Sequence, residues 1–273
     1  MASNNNNVGL NTKNLQNIFV ASAMTTPFWY PFFSLNLIKK SEILNSKSIG
    51  SLTHTNFFRN IKNINHLYRG YGLALSFQPL YPLIIGTSQH FTSDSLSKNV
   101  LTTGTICAMS AILANPLDVA ILKIQKKQSG ENNLSILNKF IRDESVMRLF
   151  RGTSMFAVRN ASYGIGLLVT QPHISKLMNN EKGDNHLKSL TSSFLSAIIS
   201  NIFANPAEVI STMKQSPNYS LMTAKECVDQ LIKKHGIRAL YTAFPYRVGA
   251  NTVEMFLFHY FYKNITNYRD NKD

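Results

Sequence analysis

The chain has 273 residues and a formal net charge of +14, with only 15% charged residues against 44% hydrophobic and 11% aromatic. Soluble domains carry roughly 25% charged residues, and this composition argues against a disordered chain, while a near-neutral mean hydropathy argues against a dense polytopic bundle unless polar loops dilute the apolar segments. Two cysteines, Cys107 and Cys227, exclude a disulfide framework and a cysteine-rich zinc set.

In chain order, the first stretch, Met1 to Thr12, is Asn-rich and carries no charged side chain. It looks like neither an Arg-rich transit peptide nor a signal peptide. A charge-free run of 25 residues then separates Lys13 from Lys39. Further gaps run from Arg69 to Asp94, Lys98 to Asp118, Arg159 to Lys176 and Lys188 to Glu208, and 248–262 is broken only by Glu254. A membrane-crossing helix needs about 20 mostly apolar residues, so these gaps predict six spans. Several are rich in Ser, Thr, Asn and Gln; helices this polar pack on each other or line a polar cavity. A buried soluble helical core is the alternative, but soluble helices rarely stay uncharged for six turns.

The loops 39–69, 118–151 and 208–247 carry +5, +3 and +3. The side that is not translocated collects positive charge, so these loops share that side and the termini lie opposite. Each loop also holds a short amphipathic stretch: Phe57, Phe58, Ile61 and Ile64; Leu134, Leu137 and Ile141; and Ala224, Cys227/Val228 and Leu231/Ile232. Such spacing suits a helix lying in the membrane interface.

A threefold repeat underlies this pattern. Leu67-Tyr68-Arg69-Gly70, Leu149-Phe150-Arg151-Gly152 and Leu240-Tyr241-Thr242-Ala243 recur 82 and 91 residues apart. Upstream stand Asn115-Pro116-Leu117-Asp118-Val119 and Asn205-Pro206-Ala207-Glu208-Val209, with Pro31, or less regularly Pro27, in the first third. Small residues at fourfold spacing, Gly104 with Ala108 and Ser192 with Ser196 and Ser200, permit close helix approach.

Three repeats of about 90 residues, with P-x-[D/E] and an aromatic-basic-glycine downstream, resemble the mitochondrial carrier family. The resemblance implies an all-α membrane protein: six transmembrane helices in a pseudo-threefold barrel, with three short matrix-side amphipathic helices and repeats at 1–95, 96–185 and 186–273. It implies a multi-pass protein of the mitochondrial inner membrane, termini toward the intermembrane space. It also implies bound cardiolipin at Arg69, Gly70, Arg151 and Gly152, where helix N-termini meet phosphate; Ala243 departs from that pattern.

The same resemblance implies two gates. On the matrix side each odd helix should give an acid two residues after its proline, a base five after and a glutamine nine after. Those positions read Phe33, Asp118 and Glu208; Asn36, Ile121 and Ser211; and Lys40, Gln125 and Gln215. The acids Asp118 and Glu208 and the braces Gln125 and Gln215 remain, without a base in register. The opposite gate should carry acid–base pairs where Gln89-His90 with Ser93, Gln171-Pro172 with Ser175, and Tyr262-Lys263 with Thr266 stand. By this reading both gates are dismantled.

Substrate contacts implied by the resemblance fall on Phe77, Gln78, Arg159, Asn160, Ala250 and Asn251. Arg159, costly in mid-membrane if unpaired, is either an anion contact or a structural partner of Glu254. The sequence holds no H-x-x-x-H, C-x-x-C or phosphate loop, so neither an enzyme nor a metal site is expected. The spread of basic charge over membrane-flanking loops points to lipid headgroups and not to nucleic acid. With no latch at either mouth, the sequence favours a non-transporting accessory subunit among other inner-membrane proteins, for example in a respiratory-chain complex. The alternative is a working carrier of a small anionic or neutral metabolite.

Overall fold

The computed structural model describes residues 12–45, 67–76, 79–91, 93, 95–126, 135, 138, 142, 146–178 and 185–271. Among these residues every regular element is helical. The long elements are α1 (Thr12–Asn45), α2 (Tyr71–Leu75) with α3 (Leu80–His90), α4 (Leu96–Lys126), α5 (Thr153–Ile165), α6 (Gln171–Met178), α7 (Asn185–Lys214) and α9 (Phe244–Asp270). A short π-helical turn, Gly166–Thr170, joins α5 to α6, and α8 (Ala224–His235) lies between α7 and α9. The long elements close on themselves: α1 packs on α3, α3 on α4, α4 on α5, α5 on α7, α7 on α9, and α9 returns to α1.

On two helices of this ring large apolar side chains face outward while polar ones are buried. On α4, Leu101 is 72% exposed, and Met109, Ile112 and Leu113 also face outward, while Thr103, Asn115 and Asp118 are buried. On α7, Phe194, Ile199 and Phe203 are exposed, while Ser192, Ser196, Ser200 and Asn201 are buried. Two helices among the described residues, Leu96–Gln125 and His186–Lys214, are long and apolar enough to cross a membrane. Of the rest, α1 and α9 are long enough but less apolar, and α3, α5 and α6 are each shorter than a span.

The prolines Pro31, Pro116 and Pro206 sit inside α1, α4 and α7. The residue before each one does the same work. Tyr30 donates its hydroxyl to the Arg69 carbonyl at 2.5 Å, and Asn115 Nδ2 donates to the Leu149 carbonyl at 2.8 Å and the Arg151 carbonyl at 3.3 Å. Asn205 Nδ2 donates to the Leu240 carbonyl at 2.8 Å and the Thr242 carbonyl at 3.3 Å. These bonds tie each proline helix to the corner that starts the next one. At those corners Gly70, Gly152 and Ala243 have φ of 77°, 81° and 62°, the left-handed region that costs an L side chain 1–2 kcal/mol, roughly. Ala243 thus keeps the backbone of its repeat mates without their glycine. Pro31, not Pro27, is the repeat's proline.

Close approach occurs where α5 meets its neighbours. A Cβ on Gly164 would fall 2.1 Å from Cys107 Sγ, and one on Gly166 would fall 2.7 Å from Ser200 Cβ. Ser196 donates to the Gly166 carbonyl at 2.6 Å, so the small-residue stripe on α7 is used for contact. The first two amphipathic stretches lie outside the described residues. The third is α8, opened by a capping box between Thr223 and Glu226. Its Cys227 and Leu231 are buried against Val209, Ile210 and Met213 of α7.

Candidate functional site

The proline end of the ring is closed by side chains nine residues past each proline. Gln125 on α4 donates to Ser34 Oγ of α1 at 2.8 Å. Gln215, the residue after α7, reaches Asn115 Oδ1 of α4 at 3.5 Å. Lys40 on α1 donates to Glu208 Oε2 of α7 at 2.6 Å. Each repeat therefore grips the preceding one, and the circle closes from the first repeat to the third. Two of the three links are neutral hydrogen bonds; the third is an ion pair whose side chains are 1% and 2% exposed.

That pair corrects the expectation of a mouth without a base. Lys40 stands one helical turn beyond Asn36, and side chains on a helix lean toward its N-terminus. Its four-carbon stem therefore brings the ammonium back to the level where the register asks for a base. Asn36 joins it, donating Nδ2 to Glu208 Oε1 at 3.0 Å.

Glu208 is the hub of a wider network. Arg247 Nε on α9 lies 3.4 Å from Glu208 Oε2, and Arg159 Nη1 on α5 lies 3.7 Å from Glu208 Oε1. The same Arg159 nitrogen donates to Asp118 Oδ1 at 3.4 Å. Arg159 is thus placed among the two acids of the proline-end ring, and its guanidinium stacks 3.9 Å from the centre of the Phe156 ring. Buried charge is tolerated only when paired and hydrogen-bonded, and three cations around Asp118 and Glu208 meet that condition.

Above this network lies a central cavity of about 130 Å³. Phe33 and Ile121 line its proline end; Asp118, Arg159, Asn160, Arg247 and Glu254 form its charged and amide wall. Asn160 reaches across to Ser110 Oγ at 3.5 Å. Ala250 and Asn251 are fully buried but are not among the lining residues, and their helix instead offers Arg247 and Glu254. Phe77 and Gln78 lie outside the described residues.

Among the described residues, the opposite mouth carries several neutral hydrogen bonds beside a charged one, in which Arg269 Nη1 donates to Gln16 Oε1 at 3.2 Å. Asn14 Nδ2 donates to Gln89 Oε1 at 3.1 Å, and Tyr262 donates its hydroxyl to Asn14 Oδ1 at 2.5 Å. Asn17 Nδ2 donates to Thr266 Oγ1 at 3.3 Å, and Gln171 Nε2 to Ser192 Oγ at 3.4 Å. Of these residues Thr266 occupies a position where the register asks for a base, while Gln89, Gln171 and Tyr262 stand one residue before the positions where it asks for acids. A second cavity of about 320 Å³ opens here, lined by Gln89, His173, Lys176, His259 and Tyr262 among others, and it shares Ile85, Leu167 and Leu168 with the central one.

Two functional residues escaped the sequence reading. Lys40 was counted only as a replaced brace, and Arg247 was absorbed into a loop's charge sum. The usable signal for Arg247 was its place four residues past Ala243, one turn before the contact positions at Ala250 and Asn251 and on their face of the helix.

Residues 92–182 and 182–272 each match the family model described as mitochondrial carrier protein. The chain belongs to the mitochondrial carrier family. Among curated relatives it is similar to the mitochondrial dicarboxylate/tricarboxylate transporter DTC of Arabidopsis thaliana, 22% identical over 77% of this chain and 79% of the relative. It is also similar to kidney mitochondrial carrier protein 1 of Xenopus laevis, 26% identical over 67% of this chain and 70% of the relative. Mitochondrial uncoupling protein 5 of Arabidopsis thaliana is 25% identical over 60% of this chain and 58% of the relative.

Proposed function

We propose that this carrier-family chain is a working solute carrier of the mitochondrial inner membrane, with six membrane-crossing helices around its central cavity. The carrying observation is the closed circle of links at the proline end, with the buried Lys40–Glu208 pair as its charged member. A ring that closes one mouth over a cavity while the other is held by weaker bonds gives a two-state element that a bound solute can bias. The accessory-subunit reading rested on the absence of any such latch, so its main premise is gone for one mouth. A carrier named for transport of di- and tricarboxylates among the relatives supports the same choice.

The outward Leu, Met and Phe side chains of α4 and α7 suit hydrocarbon surroundings. The termini face the intermembrane space and the basic loops the matrix. Cardiolipin headgroups are held at the Arg69-Gly70 and Arg151-Gly152 corners, where helix N-termini present backbone N–H groups.

Reconstitution in liposomes tests the proposal. The purified chain exchanges solute from a mixed pool of labelled small carboxylates and amino acids, and Glu208→Gln abolishes the exchange. Absence of exchange by the folded wild type, together with co-migration with a large assembly in mild detergent, would return the accessory role.

A further inference from the structure

The charges on the cavity wall are balanced. Asp118 and Glu254 face the same space as Arg159 and Arg247. The adjoining Lys40–Glu208 pair adds one charge of each sign. All four lining charges come from α4, α5 and α9. Among the described residues, α1, α2 and α3 contribute only apolar or aromatic side chains: Trp29, Phe33, Ala74, Leu80, Ile84 and Ile85. The Arg159 and Arg247 guanidinium groups both line the cavity beside the acids that hold them.

Resting on the carrier reading, we infer that the cargo is a small zwitterion with one apolar end, of the chemistry of an aliphatic α-amino acid. Its carboxylate lies against the Arg159 and Arg247 side of the wall, its ammonium faces Glu254 and Asp118, and its side chain lies against Trp29, Ile84 and Ile85. A dicarboxylate would set a second negative charge against Glu254 and Asp118, and a simple amine would set its charge against two arginines; such like-charge placements are what make a site selective. The volume agrees. A cavity of about 150 Å³ holds benzene, so ≈ 130 Å³ leaves room for a small solute against this wall.

The test uses the full-length protein in liposomes and four labelled probes. These are L-leucine; 4-methyl-2-oxopentanoate, which has its tail and carboxylate without the ammonium; isoamylamine, which lacks the carboxylate; and malate, which has two carboxylates and no tail. Leucine is expected to exchange at least about tenfold faster than the other three, the scale set by an unmatched buried polar partner. Ile84→Ser should lower leucine exchange more than alanine exchange and so reduce the preference for leucine. Because a wall variant can misfold, a second measurement uses wild type alone: leucine raises the Tm of the detergent-solubilised protein more than malate does. Exchange of malate or the oxo acid as fast as leucine, or the reverse order of Tm shifts, overturns the inference and leaves the carrier reading standing. Absence of exchange of every solute by folded protein overturns both.

Discussion

The two mouths of the ring are built on the same threefold plan from different chemistry. At the proline end the closing contacts include a buried ammonium–carboxylate pair, with Arg159 and Arg247 gathered on the same acids. At the opposite end Asn14, Asn17, Gln89, Tyr262 and Thr266 meet through neutral hydrogen bonds. Removing one partner of a buried ion pair costs about 3–5 kcal/mol because the other charge is left stranded. A neutral hydrogen bond contributes about 1 kcal/mol. On these contacts the proline end is the stronger latch of the two. On the proposed carrier function, a solute then does most of its work against Glu208.

The comparison is broken or sharpened by graded substitutions. The largest effect belongs to Glu208→Gln, which strands Lys40 and Arg247; unfolding monitored in detergent should show a loss of about 3–5 kcal/mol. An effect as small as a neutral bond would erase the distinction between the mouths. Replacing both partners, Lys40→Met with Glu208→Leu, should be less harmful than Glu208→Gln alone, because only Arg247, and no longer Lys40, is then left without its acid. Asn14→Ala removes bonds to Gln89 and Tyr262 and should cost about 1–2 kcal/mol, with exchange retained.

Ala243→Gly acts on neither mouth. It relieves the left-handed φ of 62°, offset by glycine's greater chain entropy, and should stabilise by about 0.5–1 kcal/mol, read as a small rise in Tm. The smallest effect lies outside the ring, at α8. Hydrogen bonds from Thr223 hold the exposed Glu226 carboxyl below the usual carboxylate range. A depressed pKa contributes stability that is present above the ordinary carboxylate range and lost as pH falls through it. Amide exchange in Ala224–His235 should be slower in wild type than in Thr223→Ala at neutral pH, and the difference should shrink at acid pH.

Much of this was legible from the sequence, for identifiable reasons. The spacing of Pro116 and Pro206 from the Arg151-Gly152 and Thr242-Ala243 corners located the repeats, because the asparagine before each proline must reach that corner. The first repeat was harder: Tyr30 does with a hydroxyl what Asn115 and Asn205 do with an amide, so residue identity hid the equivalence. The acids of the latch were found by register, but its bases were not. Register counts positions along a helix and says nothing of reach; Lys40 spans a full turn, and Arg247 comes in from a helix whose charges had been assigned to a loop. Glu254 was foreseen as Arg159's possible partner, whereas Arg159 sits on Asp118 and Glu208. That choice depends on how α4, α5 and α7 are brought together, which no local pattern encodes.

Thiol access to the cavity tests the latch most directly. In a background with Cys107→Ser and Cys227→Ser, a cysteine at Ser110, on the cavity lining, is exposed to a membrane-impermeant reagent from each side of sealed vesicles. The account predicts labelling through the Asn14 mouth alone in the otherwise unchanged protein, and labelling through both mouths once Glu208→Gln is added. Labelling from both sides with Glu208 intact, or no change on its loss, would contradict it.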